Sequence, residues 1–334
     1  MSGADLQRTA RALVADGKGI LAADESSPTI KKRFDSIKVE STEENRRDYR
    51  TMLFTTPGAG DFISGVILYD ETIRQKSEDG RPLVEIIAKA GMIPGIKVDK
   101  GAKPLAGHPN ETVTEGLDGL RDRLNEYAGL GARFTKWRAV YRIGEETPTP
   151  ACITANAHAL ARFAALSQEA GLVPIVEPEV LMDGDHDIEV CEAVTEEVLR
   201  VVFAELPMQD VELEGMLLKP NMVVSGKDCP EQADVEEVAE RTLRCLAHCV
   251  PAAVPGIVFL SGGQSDEQAT LHLDAMNRRP GVKPWKLSFS YGRALQAAPL
   301  KAWSGKRENV EAGQAAFLER AKANGAATLG RYAA

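Results

Sequence analysis

Met216-Leu217-Leu218-Lys219-Pro220-Asn221-Met222 places one lysine inside a run that otherwise reads as a buried strand, with Gly215 before it and Pro220 closing it. Strands of a parallel sheet are covered on both faces, so they read as near-continuous apolar runs rather than as alternation. Lys219 is the misfit. An amine is almost never fully buried without a partner. Either its stem packs inward while its head reaches water, or the chain needs an amine in a dry place.

Working outward, the same kind of run recurs along the whole chain, each time separated from the next by a helical pattern. Strands are expected at Gly19 to Asp24, Ile63 to Tyr69, Ile93 to Asp99, Ala132 to Val140, Leu172 to Glu179, Gly256 to Gly263 and Lys286 to Tyr291. Helical spacing of apolar residues predicts helices at Asp5 to Asp16, from Pro28 onward, Arg46 to Phe54, Leu83 to Ala90, Thr114 to Leu130 and Ile153 to Ala170. The pattern continues at Ile188 to Glu205, Asp234 to His248, Gln268 to Met276 and Asn309 to Ala323. Gly91, Gly131 and Gly171 stand where helix caps belong, just before the following strand. About eight strands alternating with helices, and no Pro/Gly/Ser-rich linker, predict a single (β/α)8 TIM barrel spanning residues 1–334 with extra N- and C-terminal helices. An open doubly wound sheet also alternates, but it carries a glycine-rich fingerprint after its first strand. Asp24-Glu25-Ser26-Ser27-Pro28 stands there instead.

Composition bounds the function without choosing it. The 334 residues are 43% hydrophobic and 27% charged, ordinary for a globular enzyme, with a formal net charge of -9. That acidity excludes nonspecific binding to nucleic acid or to an anionic membrane, and no apolar stretch is long enough to span a bilayer. Any affinity for phosphate must be local. The 5 cysteines, Cys152, Cys191, Cys229, Cys245 and Cys249, form no Cys-x-x-Cys and read as reduced thiols suited to a reducing compartment. The start, Met1-Ser2-Gly3-Ala4-Asp5, has no signal-peptide order, so the cytoplasm is the expected location.

Charge gathers at the strand ends. Asp24, Lys97, Lys136 with Arg138, Glu177 with Glu179, Lys219, Ser261 and Ser290 all fall in the C-terminal half of a candidate strand. Residues two apart share a face, so Lys136 and Arg138 point together, as do Glu177 and Glu179. Any one of these reads equally well as a solvated strand end. Acids and amines converging from most strands favour a site. A lysine attacks carbonyl carbon only when unprotonated, and its reference pKa near 10.4 leaves roughly one part in a thousand free at neutral pH. Desolvation by the apolar flanks and the cations Lys136 and Arg138 would lower that value. The iminium so formed is an electron sink for breaking a neighbouring carbon–carbon bond. Such chemistry needs an acid beside the amine, Glu177 or Glu179, and a base across the substrate, Asp24.

Ser261-Gly262-Gly263 after the seventh strand and Tyr291-Gly292-Arg293 after the eighth stand where barrels often bind phosphate. Small residues let backbone N–H groups approach an anion, and an arginine adds a forked donor. Ser265-Asp266-Glu267-Gln268 also reads as a plain capping box.

With these residues assembled, the chain resembles the class I fructose-bisphosphate aldolases, a family of metal-independent lyases. The matching stretches are GILAADES (19–26), GIKVDKG (95–101), Lys136-Trp137-Arg138, PIVEPE (174–179), LLKPN (217–221), LSGGQS (260–265) and FSYGRAL (289–295). The resemblance implies a cytoplasmic homotetramer of barrels, without cofactor, that reversibly cleaves fructose 1,6-bisphosphate to dihydroxyacetone phosphate and glyceraldehyde 3-phosphate in glycolysis and gluconeogenesis. It implies Lys219 as the Schiff-base lysine, Glu177 as the acid/base for the carbinolamine, Asp24 as the group taking the C4 hydroxyl proton, Lys136 as a second catalytic lysine, and Glu179 as a tuning carboxylate. Ser261, Gly262, Gly263, Ser290, Gly292 and Arg293 match the ketone-end phosphate site. Ser26, Arg33, Lys97 and Arg138 match the region at the other end.

Two departures stand out. Pro28 and Thr29 occupy loop positions where many relatives have Gly and Ser, and the chain closes on Arg331-Tyr332-Ala333-Ala334, where animal members carry a long mobile tail ending in a tyrosine. Tyr332 is not assigned that tyrosine's role. Two rival readings share the barrel: a transaldolase-like lysine-imine transferase, and a sugar-phosphate-binding scaffold without turnover. A metal-dependent aldolase is disfavoured because His108, His158, His186, His248 and His272 lack ligand spacing.

Overall fold

The structure is a computed structural model that describes residues 3–332. The outermost terminal residues on which the leader and tail readings partly rest lie outside the described residues. Eight parallel strands close a barrel in sequence order: β1 (Gly19–Ala23), β2 (Ile63–Leu68), β3 (Ile93–Lys97), β4 (Phe134–Tyr141), β5 (Val173–Val180), β6 (Leu217–Leu218), β7 (Gly256–Phe259) and β8 (Lys286–Tyr291). Pairing of Ile20 with Ser290 joins the first strand to the last. All eight were legible as apolar runs because each is covered by the barrel core inside and by helices outside.

Register explains how the barrel is filled. Lys97 pairs with Lys136, Lys136 with Ile175 and Arg138 with Glu177. Alternation then sends Phe134, Lys136 and Arg138 to one face, and Val173, Ile175, Glu177 and Glu179 to the same face of the next strand. The lower part of that interior is apolar: Ile20, Ala22, Ile67, Phe134, Val173, Ile175, Leu217 and Val258 form one buried cluster. The N-terminal helix Gly3–Leu13 closes this end by adding Leu6, Ala10 and Leu13 to the cluster. Gly95 is required here, because a Cβ on it would stand 2.4 Å from the Phe134 ring. The inward positions turn from apolar to charged only towards the C-terminal rim, where barrels of this class keep their active sites.

Three expectations need correction. The helix expected over Thr114 to Leu130 is shorter, Leu120–Gly129, because Gly116 and Gly119 take positive φ angles of 133° and 66° and interrupt it. Its expected first residue, Thr114, instead ends one arm of a hairpin, Thr112–Thr114 paired with Ala102–Pro104. A helix over Arg293–Trp303, not anticipated, begins directly after Gly292 and buries Leu295, Leu300 and Trp303. The strand expected across Met216 to Met222 pairs as a strand only over Leu217–Leu218, because Pro220 has no N–H to give. The chain nevertheless stays in line: the Lys219 N–H donates to Val176 O at 2.8 Å and the Leu260 N–H to Pro220 O at 3.1 Å. The glycine caps hold as expected, with φ of 80°, 108° and 75° at Gly91, Gly131 and Gly171. All five cysteines are free thiols.

Candidate active site

Four strand ends deliver the central cluster. Asp24 follows β1, Lys136 and Glu177 lie within β4 and β5, and Lys219 follows β6. Lys136 Nζ sits 2.6 Å from Asp24 Oδ2 and 3.1 Å from Glu177 Oε2, while Lys219 Nζ lies 3.2 Å from Glu177 Oε1. The Lys219 side chain is only 4% exposed, so the snorkelling alternative fails. Asn221 sets the approach of the two strand ends: its Oδ1 accepts from the Val180 N–H at 2.9 Å and its Nδ2 donates to Thr195 Oγ1 at 3.1 Å. Asn221 closes the LLKPN stretch (217–221), which by itself gives it no role. An amide in an otherwise apolar buried run was the available signal.

Charge is unevenly shared in this cluster. Burial drives the Lys219 amine below the ordinary lysine range; Glu177 opposes that, and the Lys136 cation adds to it. Burial also works against charge on Lys136, but Asp24, Glu177 and Asp99 outweigh it and hold the ammonium above its usual range. Desolvation alone would raise the carboxyls of Asp24 and Glu177; the Lys136 ammonium outweighs it, helped by Lys219 whenever that amine is protonated, and keeps both below the usual carboxylate range. The cluster thus holds one lysine firmly charged between two carboxylates and a second biased toward the free amine. Glu177 Oε2 is close to Lys136 but makes no hydrogen bond, which leaves a lone pair for a proton in transit.

Arg138 and Glu179, from neighbouring strands, pair with each other at 2.5 Å. Glu179 therefore anchors Arg138 rather than touching Lys219. Lys97 stands 3.8 Å from Asp99 and 5.9 Å above the Tyr69 ring. Asp99, within the quoted GIKVDKG motif but given no role, accepts from the backbone N–H groups of Gly101 and Arg138 and so ties β3 to β4 beneath the rim. Ser26 turns its hydroxyl to Thr29 Oγ1 at 3.1 Å, at the start of the helix Ser27–Ser36.

The second group of residues gathers on the far side. Arg293 donates to the Gly262 carbonyl, and burial together with the like charge of Arg33 presses its pKa down. Arg33, which the family resemblance places at the aldehyde end, lies beside Gly292: a Cβ there would stand 3.5 Å from Arg33 Nη2. Its other partner is Glu25 at 3.2 Å, a buried carboxylate also bound by Gln296 Nε2 at 2.7 Å and approached by Arg50 at 3.7 Å. Ser261 and Ser290 are buried, and the Ser290 hydroxyl has no partner within the protein. An unused buried hydroxyl two residues before Gly292, beside which Arg33 lies, is a donor that an anion would complete.

Behind the Ser261 loop, Gln264 donates from Nε2 to Ser261 O at 3.1 Å and its Oε1 lies 2.5 Å from His272 Nδ1. With Oε1 the acceptor, Nδ1 carries the proton. Burial lowers the His272 pKa to about 4 from 6.5. The folded protein therefore binds fewer protons than the unfolded chain between those values, and stability falls as pH drops from 6.5 towards 4. His272→Asn keeps a donor without the titration. It is expected to flatten that acid limb by roughly 3 kcal/mol in urea unfolding followed against pH; an unchanged acid limb would refute the assignment.

A closed parallel barrel with a buried amine among carboxylates at its C-terminal rim defines a (β/α)8-barrel enzyme. More particularly, the chain belongs to the class-I fructose-bisphosphate aldolase family, whose model matches residues 5–334. It is 62% identical over 333 residues to a probable fructose-bisphosphate aldolase class 1 of Xanthomonas campestris, covering 99% of both chains. It is 58% identical over 316 residues to the cytosolic fructose-bisphosphate aldolase 4 of Arabidopsis thaliana, covering 95% of this chain and 80% of that one. Among solved structures it superposes with a TM-score of 0.97 on the fructose-bisphosphate aldolase of Plasmodium falciparum, crystallised with TRAP and a small-molecule inhibitor; the two are 52% identical, with 99% and 95% of the chains covered. Among the described residues no group of three or more His, Cys, Asp and Glu is disposed to hold a metal ion, and no helix is long and apolar enough to cross a membrane.

Proposed function

We propose that this protein reversibly cleaves fructose 1,6-bisphosphate to dihydroxyacetone phosphate and glyceraldehyde 3-phosphate through a Schiff base on Lys219. The observation that carries the proposal is the buried Lys219 amine, biased toward its neutral form, 3.2 Å from a Glu177 carboxylate that Lys136 holds in place. The free amine adds to the substrate ketone, and the proton it sheds passes to Glu177. Glu177 returns that proton to the alkoxide oxygen, giving a neutral carbinolamine; a second proton, drawn from solvent through Glu177, lets that hydroxyl leave as water, and an iminium remains. Asp24, ionised and fixed by Lys136, takes the C4 hydroxyl proton while the C3–C4 electrons flow into the iminium and the aldehyde departs. Ser261, Gly262, Gly263, Ser290, Gly292 and Arg293 bind the ketone-end phosphate. Ser26, Arg33, Lys97 and Arg138 serve the other end, with Arg33 near enough to Arg293 to meet either. The same reading includes a cytoplasmic homotetramer acting in glycolysis and gluconeogenesis.

Borohydride added with dihydroxyacetone phosphate is expected to inactivate the protein and leave a stable adduct on the peptide bearing Lys219, detected by mass spectrometry. Labelling of another lysine, or none, would contradict the proposal.

A further inference from the structure

The Ser261-Gly262-Gly263 loop is occupied by the protein itself. Met182, two residues beyond the end of β5, brings its thioether to the loop, and the Gly263 N–H donates to Met182 Sδ at 3.0 Å. The contact is tight on its own terms: a Cβ added to Gly263 would stand 2.7 Å from that sulfur, and one added to Gly262 would stand 3.7 Å from it. Arg293 also bonds within the loop, to the Gly262 carbonyl, but a guanidinium has five N–H groups and keeps others free. The Gly263 amide has one. Whatever anion takes that N–H must first displace the sulfur.

We propose that Met182 is a specificity-determining placeholder in the anion loop: its thioether holds the Gly263 N–H in the unliganded protein, and a phosphate group on the ketone displaces it. The inference rests on the reading of this loop as the ketone-end phosphate site. A thioether is a weak acceptor, whereas a phosphate oxygen makes a charge-assisted bond roughly twice as strong as a neutral one. The exchange therefore favours phosphorylated ligands, while a ligand without phosphate leaves Met182 where it is. Half-burial of the Met182 side chain and its unbranched form give it somewhere to go. Until displaced, it keeps the loop N–H paired within the protein.

The experiment measures the ketone concentration giving half-maximal borohydride trapping, for dihydroxyacetone phosphate and for unphosphorylated dihydroxyacetone, in wild type, Met182→Ala and Met182→Leu. Removing the competitor frees the N–H, so Met182→Ala is expected to trap dihydroxyacetone phosphate at about fivefold lower concentration, with dihydroxyacetone moving by less than about twofold. Met182→Leu refills the volume without an acceptor and is expected to shift the phosphorylated ketone in the same direction by a smaller factor. An unchanged midpoint for dihydroxyacetone phosphate in both variants, or equal shifts for the two ketones, overturns the placeholder role. Absence of trapping with either ketone in wild type would instead overturn the Lys219 chemistry, so the two failures are distinct.

Discussion

Lys219→Met is expected to abolish cleavage of fructose 1,6-bisphosphate, lowering kcat by about four orders of magnitude or more, because no other group supplies the covalent step. The fold should survive. The Lys219 side chain is 4% exposed, and burial already disfavours its charged form, so an unbranched apolar replacement of similar length removes a poorly solvated amine rather than a stabilising ion. Replacing a buried polar group with packed apolar volume is often neutral or favourable. Glu177 keeps its ion pair with Lys136 in the variant. The melting temperature is therefore expected to stay within a few degrees of wild type or rise, and the borohydride adduct should vanish. Steady-state turnover and calorimetry together decide it: turnover retained in protein free of wild-type contamination would end the Schiff-base reading, and collapse of the melting transition would mean that the lysine serves the fold.

How much of this was open to reading in the sequence follows from what each feature depends on. The barrel was legible because burial on both faces leaves a mark at every strand, and because period-two alternation put Lys136 with Arg138 and Glu177 with Glu179 on shared faces. The charged cluster was legible for the same reason: polar residues inside apolar runs are rare enough to be noticed. The Glu25 carboxylate was not, since its partners Arg33, Arg50 and Gln296 come from three separate segments, and no spacing rule links them. Nor was the partnership of Glu179 with Arg138 rather than Lys219. Sharing a face is settled by alternation, but the choice between two cations on that face is settled by rotamer and distance. The helix after Gly292 was obscured because Gly292 and Arg293 carried a phosphate reading, although Leu295, Leu300 and Trp303 supply its buried stripe. Met182 lay in no motif, and its contact with Gly263 spans 81 residues.

Lys136→Met is expected to lower kcat by about three orders of magnitude at neutral pH through loss of a positioned charge, and to move the pH profile in a direction that identifies its role. In the wild-type cluster Lys136 neutralises the pull of Asp24 and Glu177 and repels a second positive charge on Lys219. Without it, the two carboxylates hold the Lys219 proton and the amine loses its free form near neutrality. The loss should therefore be smaller at pH 9 than at pH 7, with the acidic limb of kcat displaced toward higher pH. Stability gives an independent reading. Asp24 has its folded pKa depressed chiefly by Lys136 against the opposing effect of burial, so its contribution is fully present above the unfolded value near 3.9 and is lost as pH falls through the depressed one. The variant leaves buried carboxylates without their cation and is expected to cost about 3 kcal/mol at pH 7, with acid unfolding that begins at higher pH. Lys136→Arg, which restores the charge in a bulkier and planar head, should recover most of the stability and little of the rate. A kcat–pH profile of unchanged shape in Lys136→Met would mean that Lys136 does not govern the ionisation of Lys219, whatever the size of the rate loss.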